Sequence, residues 1–149
     1  MGYWLFLPPL ARHLQLHGDP VQIAEGWNSI FIDEITETRR VVEAARAKLP
    51  CHAVTITHAT HPAAWPTKFP AVVGAFDGLF VSSEIGQRKP VRSAFEFVAR
   101  SVGVPVESIL FLTAHVENVE GALAAGLEAV HVHGPADVKA PLVRLGCAV

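Results

Sequence analysis

The sequence has few charged residues and few cysteines, and neither sign of charge dominates. Only 17% of its 149 residues are charged, and the net charge is −2. Because the lysines and arginines are scattered, the chain offers no basic surface for nucleic acid or for an anionic membrane. The two cysteines, Cys51 and Cys147, are far apart and belong to no metal-binding or redox spacing. They are interpreted as free thiols of a cytoplasmic protein.

Long apolar runs and targeting signals are also lacking. No apolar stretch approaches the length of a transmembrane helix. The first nine residues are apolar, but they lack the basic region and the cleavage site of a signal peptide. Apolar residues are otherwise abundant, at 50% of the chain. In a chain of single-domain length, this composition favours a well-buried sheet or a covered surface such as a homodimer interface.

The spacing of apolar residues predicts strands that alternate with helices. Strands are expected, in chain order, at residues 3–7, 52–56, 78–82, 109–112 and 128–132. Helices are expected at residues 10–17, 21–32, 36–49, 91–102, 117–125 and 135–145. This alternation implies an α/β fold with a mostly parallel, Rossmann-like sheet between two helical layers. In such a sheet, ligands bind beyond the carboxyl ends of the strands.

The most specific motifs follow two of these predicted strands. They are Ser82-x-x-x-Gly86-x-x-Lys89-Pro90 and, after residues 109–112, Asn118-Val119-x-Gly121-Ala122. Their spacing resembles the phosphate-handling half of haloacid dehalogenase (HAD) superfamily hydrolases, and is most similar to small-cap phosphatases that act on sugar phosphates. The resemblance covers roughly residues 27–132. Asn118 is predicted to cap its helix, and Gly121 and Ala122 to let that helix pack closely on the sheet.

The resemblance implies a site with a nucleophilic aspartate, a second aspartate two residues later, a Ser or Thr, a lysine, and an acidic pair that holds Mg²⁺. The Ser/Thr position falls on Thr55, which is followed by Ile56 in place of the usual asparagine. The lysine position falls on Lys89. These two residues are the candidates for binding phosphate or a small phosphorylated metabolite.

The carboxylates that the resemblance requires are missing. The acidic pair falls on Thr113 and Ala114, so no cofactor is expected although the family uses Mg²⁺. The predicted strand at residues 3–7 puts Leu7 or Pro8 at the nucleophile position. Asp77 precedes a glycine as a nucleophile would, but we reject it because no second aspartate follows two residues later. No catalytic residue is therefore assigned.

The resemblance also predicts how the domain is organised. Residues 1–149 are expected to form one HAD-like domain, with residues 9–34 or so as the remnant of a reduced helical cap. The nucleophile strand normally lies between the strands that carry Thr55 and Thr113. Residues 3–7 are predicted to fill that position, because an empty position would leave two strand edges unpaired. The alternative is that the sequence is truncated at its N-terminus and another molecule supplies the pairing.

Histidines suggest a second type of site. His58, His61 and His115 follow strands that should be neighbours, so a zinc site of three imidazoles is conceivable. No tight histidine spacing supports this site, and the preferred interpretation is that no metal binds. His131 and His133 alternate on a predicted strand and should point the same way.

Three functional hypotheses remain open. The chain is a catalytically inactive HAD-like hydrolase homologue that retains anion binding. Alternatively, it is a genuine phosphatase of a small phosphomonoester, whose sequence is incomplete or whose metal site is rebuilt from His115, His58 and Glu117. The third hypothesis is a dimerising scaffold protein without a small ligand.

Overall fold

In a computed structural model of the chain, residues 7–29, 32–55 and 66–149 are described. Its helices are α1 Leu7–His13, α2 Pro20–Asn28, α3 Thr36–Arg46, α4 Pro70–Gly74, α5 Ser82–Ile85, α6 Arg92–Val102, α7 Val116–Ala125 and α8 Pro135–Arg144. Its strands are β1 His52–Thr55, β2 Gly78–Val81, β3 Leu110–Thr113 and β4 Glu128–His131. The predicted α/β alternation is confirmed. The predicted strand at residues 3–7 lies outside the described residues except for Leu7, which begins α1 and is not in a strand.

The strands form two parallel pairs. β1 pairs with β2 so that Thr55 lies opposite Val81, and β3 pairs with β4 so that Thr113 lies opposite His131. Each pair therefore ends together at its carboxyl edge. Within the described ranges, β1 and β3 have no hydrogen-bonded strand on their other side.

The third strand, β3, separates two apolar clusters. Leu110 and Leu112 pack against a cluster that includes Val41 of α3 and Leu142 of α8. Phe111, which lies between them, packs against a second cluster built around Phe95 and the small residues of α7. Successive side chains of a strand point to opposite faces, so β3 is covered on both sides. This explains its continuous apolar sequence and confirms the three-layer architecture.

The N-terminal helices α1 and α2 pack against each other and together cover most of the predicted cap segment, residues 9–34. Asp19 caps α2 by accepting a hydrogen bond from the Val21 backbone N–H at 2.8 Å, and Gln22 accepts one from the Asp19 N–H at 3.3 Å. The interpretation of this pair as the remnant of a cap stays a prediction. No helix in the described part of the chain is both long enough and apolar enough to cross a membrane.

Candidate anion-binding site

The loop that follows β2 positions the candidate lysine. β2 leads directly into α5, which ends at Gly86 in the left-handed conformation, with φ 67°. Because side chains with a Cβ adopt this conformation at a cost, glycine suits the position. The Ser93 hydroxyl then donates to Gln87 Oε1 at 2.5 Å and fastens the loop to the start of α6. The loop therefore holds Lys89 in a defined position at the carboxyl edge of the sheet.

Lys89 lies between the two strand pairs. Its side chain is buried, with 8% exposure, and its ammonium donates to the backbone carbonyl of Val54 on β1 at 2.5 Å. The same nitrogen lies 5.3 Å from the centroid of the Phe111 ring on β3. Burial lowers the pKa of Lys89 from its usual value of 10.5. The ammonium thus links β1 and β3 where no strand pairing links them in the described residues.

No carboxylate compensates this buried charge. All aspartates and glutamates of the chain fall in the described ranges, and the ion pairs found there do not involve Lys89. An ammonium can donate three hydrogen bonds. An isolated buried charge is costly unless it is paired and fully hydrogen-bonded. The environment of Lys89 is therefore suited to an anion that supplies acceptor oxygens.

Thr55 provides a second unsatisfied donor at the same edge. It ends β1 and directly follows Val54, whose carbonyl binds Lys89. The Thr55 hydroxyl is buried and has no hydrogen-bond partner in the described part of the chain. Leaving such a group unpaired costs about 1–3 kcal/mol. A ligand oxygen that reached this edge would satisfy the hydroxyl as well as the ammonium.

The end of β3 does not fit a magnesium site. Thr113 is buried, and its hydroxyl accepts a hydrogen bond from the His115 backbone N–H at 3.4 Å. Ala114 is exposed, and its carbonyl lies 3.1 Å from His131 Nε2. Mg²⁺ is bound through carboxylates in proteins, and neither residue offers one. Glu117 follows in the first turn of α7 and is exposed.

Of the three histidines of the hypothetical zinc site, only His115 lies among the described residues. Ile56, His58 and His61 lie outside the described residues, and His115 is exposed at the start of α7. In the described ranges, no three His, Cys, Asp or Glu side chains come together as metal ligands would. His131 and His133 do lie side by side, with ring centroids 4.3 Å apart, as their alternation predicted.

Asp77 lies at the opposite edge from Lys89, because it immediately precedes β2. Its carboxylate accepts hydrogen bonds from the Cys51 backbone N–H at 2.8 Å and from Arg46 Nε at 2.6 Å. These two donors, the backbone N–H first, lower the pKa of Asp77. The carboxylate thus joins α3 to the starts of β1 and β2, which agrees with its rejection as a nucleophile.

Of two predictions about the second motif, the one for Asn118 is wrong and the one for Gly121 and Ala122 is confirmed at Ala122. Asn118 is the third residue of α7 and is buried, while His115 occupies the N-cap position. Asn118 therefore does not cap the helix. Ala122 is fully buried in a cluster that also contacts Phe111 and Ala129 of the sheet, as predicted, whereas the nearest neighbour of Gly121 is the loop. A Cβ at this position would lie 2.4 Å from the carbonyl oxygen of Pro90, so the missing side chain lets α7 abut the residue after Lys89.

Comparison with known proteins places this geometry in a fold family. No family model matches the sequence. Over 70 residues the chain is 31% identical to drimenol cyclase drtB of Aspergillus calidoustus, a match that covers 47% of this chain and only 13% of that protein. The chain therefore spans a small part of the length of this curated relative.

Solved structures match over most of the chain. A HAD family enzyme of Bacteroides thetaiotaomicron, crystallised with magnesium and inorganic phosphate, is 22% identical with a TM-score of 0.72, covering 81% of this chain and 64% of that one. The magnesium complex of the same enzyme gives 0.78 at 21% identity, covering 89% and 69%. An uncharacterised protein of Corynebacterium glutamicum gives 0.66 at 22% identity, covering 80% and 90%. The chain accordingly has the fold of the HAD-like superfamily.

Proposed function

We propose that this protein is a HAD-like hydrolase homologue that binds phosphate or a small phosphorylated metabolite without hydrolysing it. Lys89 and Thr55 hold the phosphoryl oxygens. The observation that carries the proposal is the buried ammonium of Lys89, which has no carboxylate partner in the described residues.

The binding chemistry follows from the two donors. The Lys89 ammonium supplies charge and two further N–H groups beyond the one that the Val54 carbonyl accepts. The Thr55 hydroxyl adds a neutral donor at the end of β1. Hydrogen bonds from an ammonium to phosphate oxygens are about twice as strong as neutral ones. A bound dianion would also favour the charged form of Lys89, reversing the effect of burial on its pKa.

The proposed lack of hydrolysis rests on the residues that stand at the catalytic positions. Covalent phosphoryl transfer needs a nucleophile, and the position assigned to it falls on Leu7 or Pro8. Thr113 and Ala114 stand where the acidic pair would hold Mg²⁺. We therefore derive no catalytic step through a metal. We also assign the protein to the cytoplasm, which its two free cysteines support.

Calorimetric titration with inorganic phosphate and with a sugar phosphate tests the binding. We expect saturable binding by the wild-type chain and none by Lys89→Met. Lys139→Met is the matched control, because Lys139 is an exposed lysine on α8 and its loss changes the net charge equally. If wild type does not bind either anion, the proposal is wrong and the dimerising scaffold becomes the better hypothesis.

The second candidate function is a genuine phosphatase. It is favoured by the similarity to the B. thetaiotaomicron enzyme that was crystallised with magnesium and phosphate. Release of phosphate from p-nitrophenyl phosphate, with and without Mg²⁺, distinguishes the two. We expect no release above background. Turnover that disappears in Lys89→Ala would establish the phosphatase and overturn the inactive assignment.

A further inference from the structure

Cys51 and Cys147, which are far apart in the sequence, lie in the same apolar cluster. Cys147 is buried with 5% exposure in the segment after α8, and Cys51 is half-buried just before β1. Cys51 packs against the cluster to which Cys147 belongs. The sequence had shown two unrelated thiols, and the fold brings them to the same side of the sheet.

A hydrogen bond next to both cysteines holds the two segments together. Lys48 Nζ donates to the carbonyl of Gly146 at 2.9 Å. Gly146 has φ 77°, and a Cβ there would lie 2.6 Å from Lys48 Nζ. The residue before Cys147 is therefore fixed against the residue three positions before Cys51. This contact is independent of the apolar cluster and joins the same two segments through the Lys48 side chain.

The surroundings of Cys51, Cys147 included, affect its ionisation. Burial, followed by the charges of Asp77 and Cys147, raises the pKa of Cys51. The Cys51 thiol donates to the Leu49 carbonyl at 3.4 Å, and both cysteines are free. Since the thiolate is the reactive form of cysteine, the raised pKa keeps Cys51 slow to react at neutral pH.

We propose that Cys51 and Cys147 form a redox modification site, in which a small disulfide such as oxidised glutathione converts the two thiols into an intramolecular disulfide. The more exposed Cys51 reacts first: its thiolate attacks one sulfur of the small disulfide and releases one small thiolate. The Cys147 thiolate then attacks the Cys51 sulfur of the mixed disulfide and releases the second. The protein loses two protons and two electrons, and the small disulfide becomes two thiols.

The product links the C-terminal segment covalently to the start of β1. A disulfide requires Cα atoms within about 7 Å of each other, so the reaction directly tests how close the two backbones lie. The closed loop would contain most of the α/β domain. Closing a loop of roughly 100 residues stabilises a protein enough to raise the Tm of a chain of this size by about 10 °C or more.

The experiment treats the reduced full-length protein with oxidised glutathione at low protein concentration, at neutral and at mildly alkaline pH. We expect a mass loss of about 2 Da, the loss of both free thiols, and a Cys51–Cys147 peptide in a non-reducing digest. The rate should rise with pH because the thiolate fraction of Cys51 rises. Dithiothreitol should reverse the mass change and the rise in Tm.

Two variants serve as controls. In Cys147→Ser, the glutathione adduct should accumulate on Cys51, because no second thiol displaces it. In Cys51→Ser, the buried Cys147 should stay unmodified. The wild-type result decides the proposal even if a variant does not fold. Persistent glutathione adducts, disulfides between copies, or unmodified thiols without the cross-linked peptide would overturn it. None of these measurements depends on anion binding at Lys89.

Discussion

Replacement of Lys89 by Met should separate ligand binding from stability. The substitution removes a buried ammonium but keeps a long apolar side chain beside Phe111. It also removes the hydrogen bond to the Val54 carbonyl, and such a bond from a charged group contributes about 1.5–3 kcal/mol net. The uncompensated buried charge opposes folding by a comparable or larger amount. Without ligand, we therefore expect the variant to be at least as stable as the wild type.

With phosphate bound, we expect the wild type to be more stable than Lys89→Met. A ligand that binds only the folded state at 100 times its Kd stabilises that state by about 2.7 kcal/mol. For a chain of this size, that corresponds to a rise in Tm of roughly 5–10 °C. Differential scanning calorimetry with and without saturating phosphate should show this rise in the wild type and in Lys139→Met, but not in Lys89→Met. If Lys89→Met keeps the full rise, the ammonium does not hold the anion and the reasoning is refuted.

The pH dependence of stability, compared between the wild type and Lys89→Met, gives an independent check. Because burial lowers the pKa of Lys89, the unfolded chain retains this proton at a higher pH than the folded chain does. Between the lowered folded value and the usual 10.5, the unfolded state binds more protons, so the free energy of unfolding of the wild type rises with pH. Lys89→Met lacks this titration. Its stability advantage in phosphate-free buffer should shrink as the pH approaches 10.5, as measured by urea denaturation.

Three further substitutions test the surroundings of the site. Thr55→Val should weaken phosphate binding in calorimetry and raise ligand-free stability by about 1 kcal/mol, because a methyl group replaces a buried unpaired hydroxyl; unchanged affinity would contradict the assignment. Gly121→Ala should cost about 1–3 kcal/mol in urea denaturation and lower phosphate affinity, because its Cβ would meet the Pro90 backbone. Gly74→Ala, where a Cβ meets nothing within 4 Å, is the control, and equal losses in both variants would argue against the packing explanation. Asp77→Asn should be less stable than wild type at neutral pH. The lowered pKa means that the contribution of Asp77 is present above its ordinary value of 3.8 and is lost as the pH falls through the folded value. The difference in free energy of unfolding should therefore vanish on acidification, and a constant difference would contradict this account.

The sequence predicted the layers of the fold because its apolar pattern is local. The run that became β3 had no polar alternation, which predicted burial on both faces. Leu112 and Phe111 do pack into opposite clusters. Boundaries were less accurate, because tertiary contacts decide where an element ends. Leu7, predicted at the end of a strand, begins a helix.

The site was predicted less completely than the fold. Motif spacing proposed Thr55 and Lys89 as anion ligands, which stays a prediction; the Thr55 hydroxyl is buried without a partner in the described residues, and Lys89 is buried. The acceptor for the Lys89 ammonium, the Val54 carbonyl, has no signal in the sequence, because every residue has a backbone carbonyl. The proximity of Cys51 and Cys147 was likewise invisible, since it depends on how the C-terminal segment folds back over α3 and β3.

Phe111 connects the candidate site to the interior of one helical layer. Its ring faces the Lys89 ammonium at 5.3 Å and meets the edge of Phe95 on α6, with centroids also 5.3 Å apart. The Phe111 side chain therefore contacts both the Lys89 ammonium at the strand edge and the Phe95 ring in the layer below. We expect that a ligand that draws the ammonium off the Phe111 ring also shifts the NMR signals of Phe95, because the two rings are in contact.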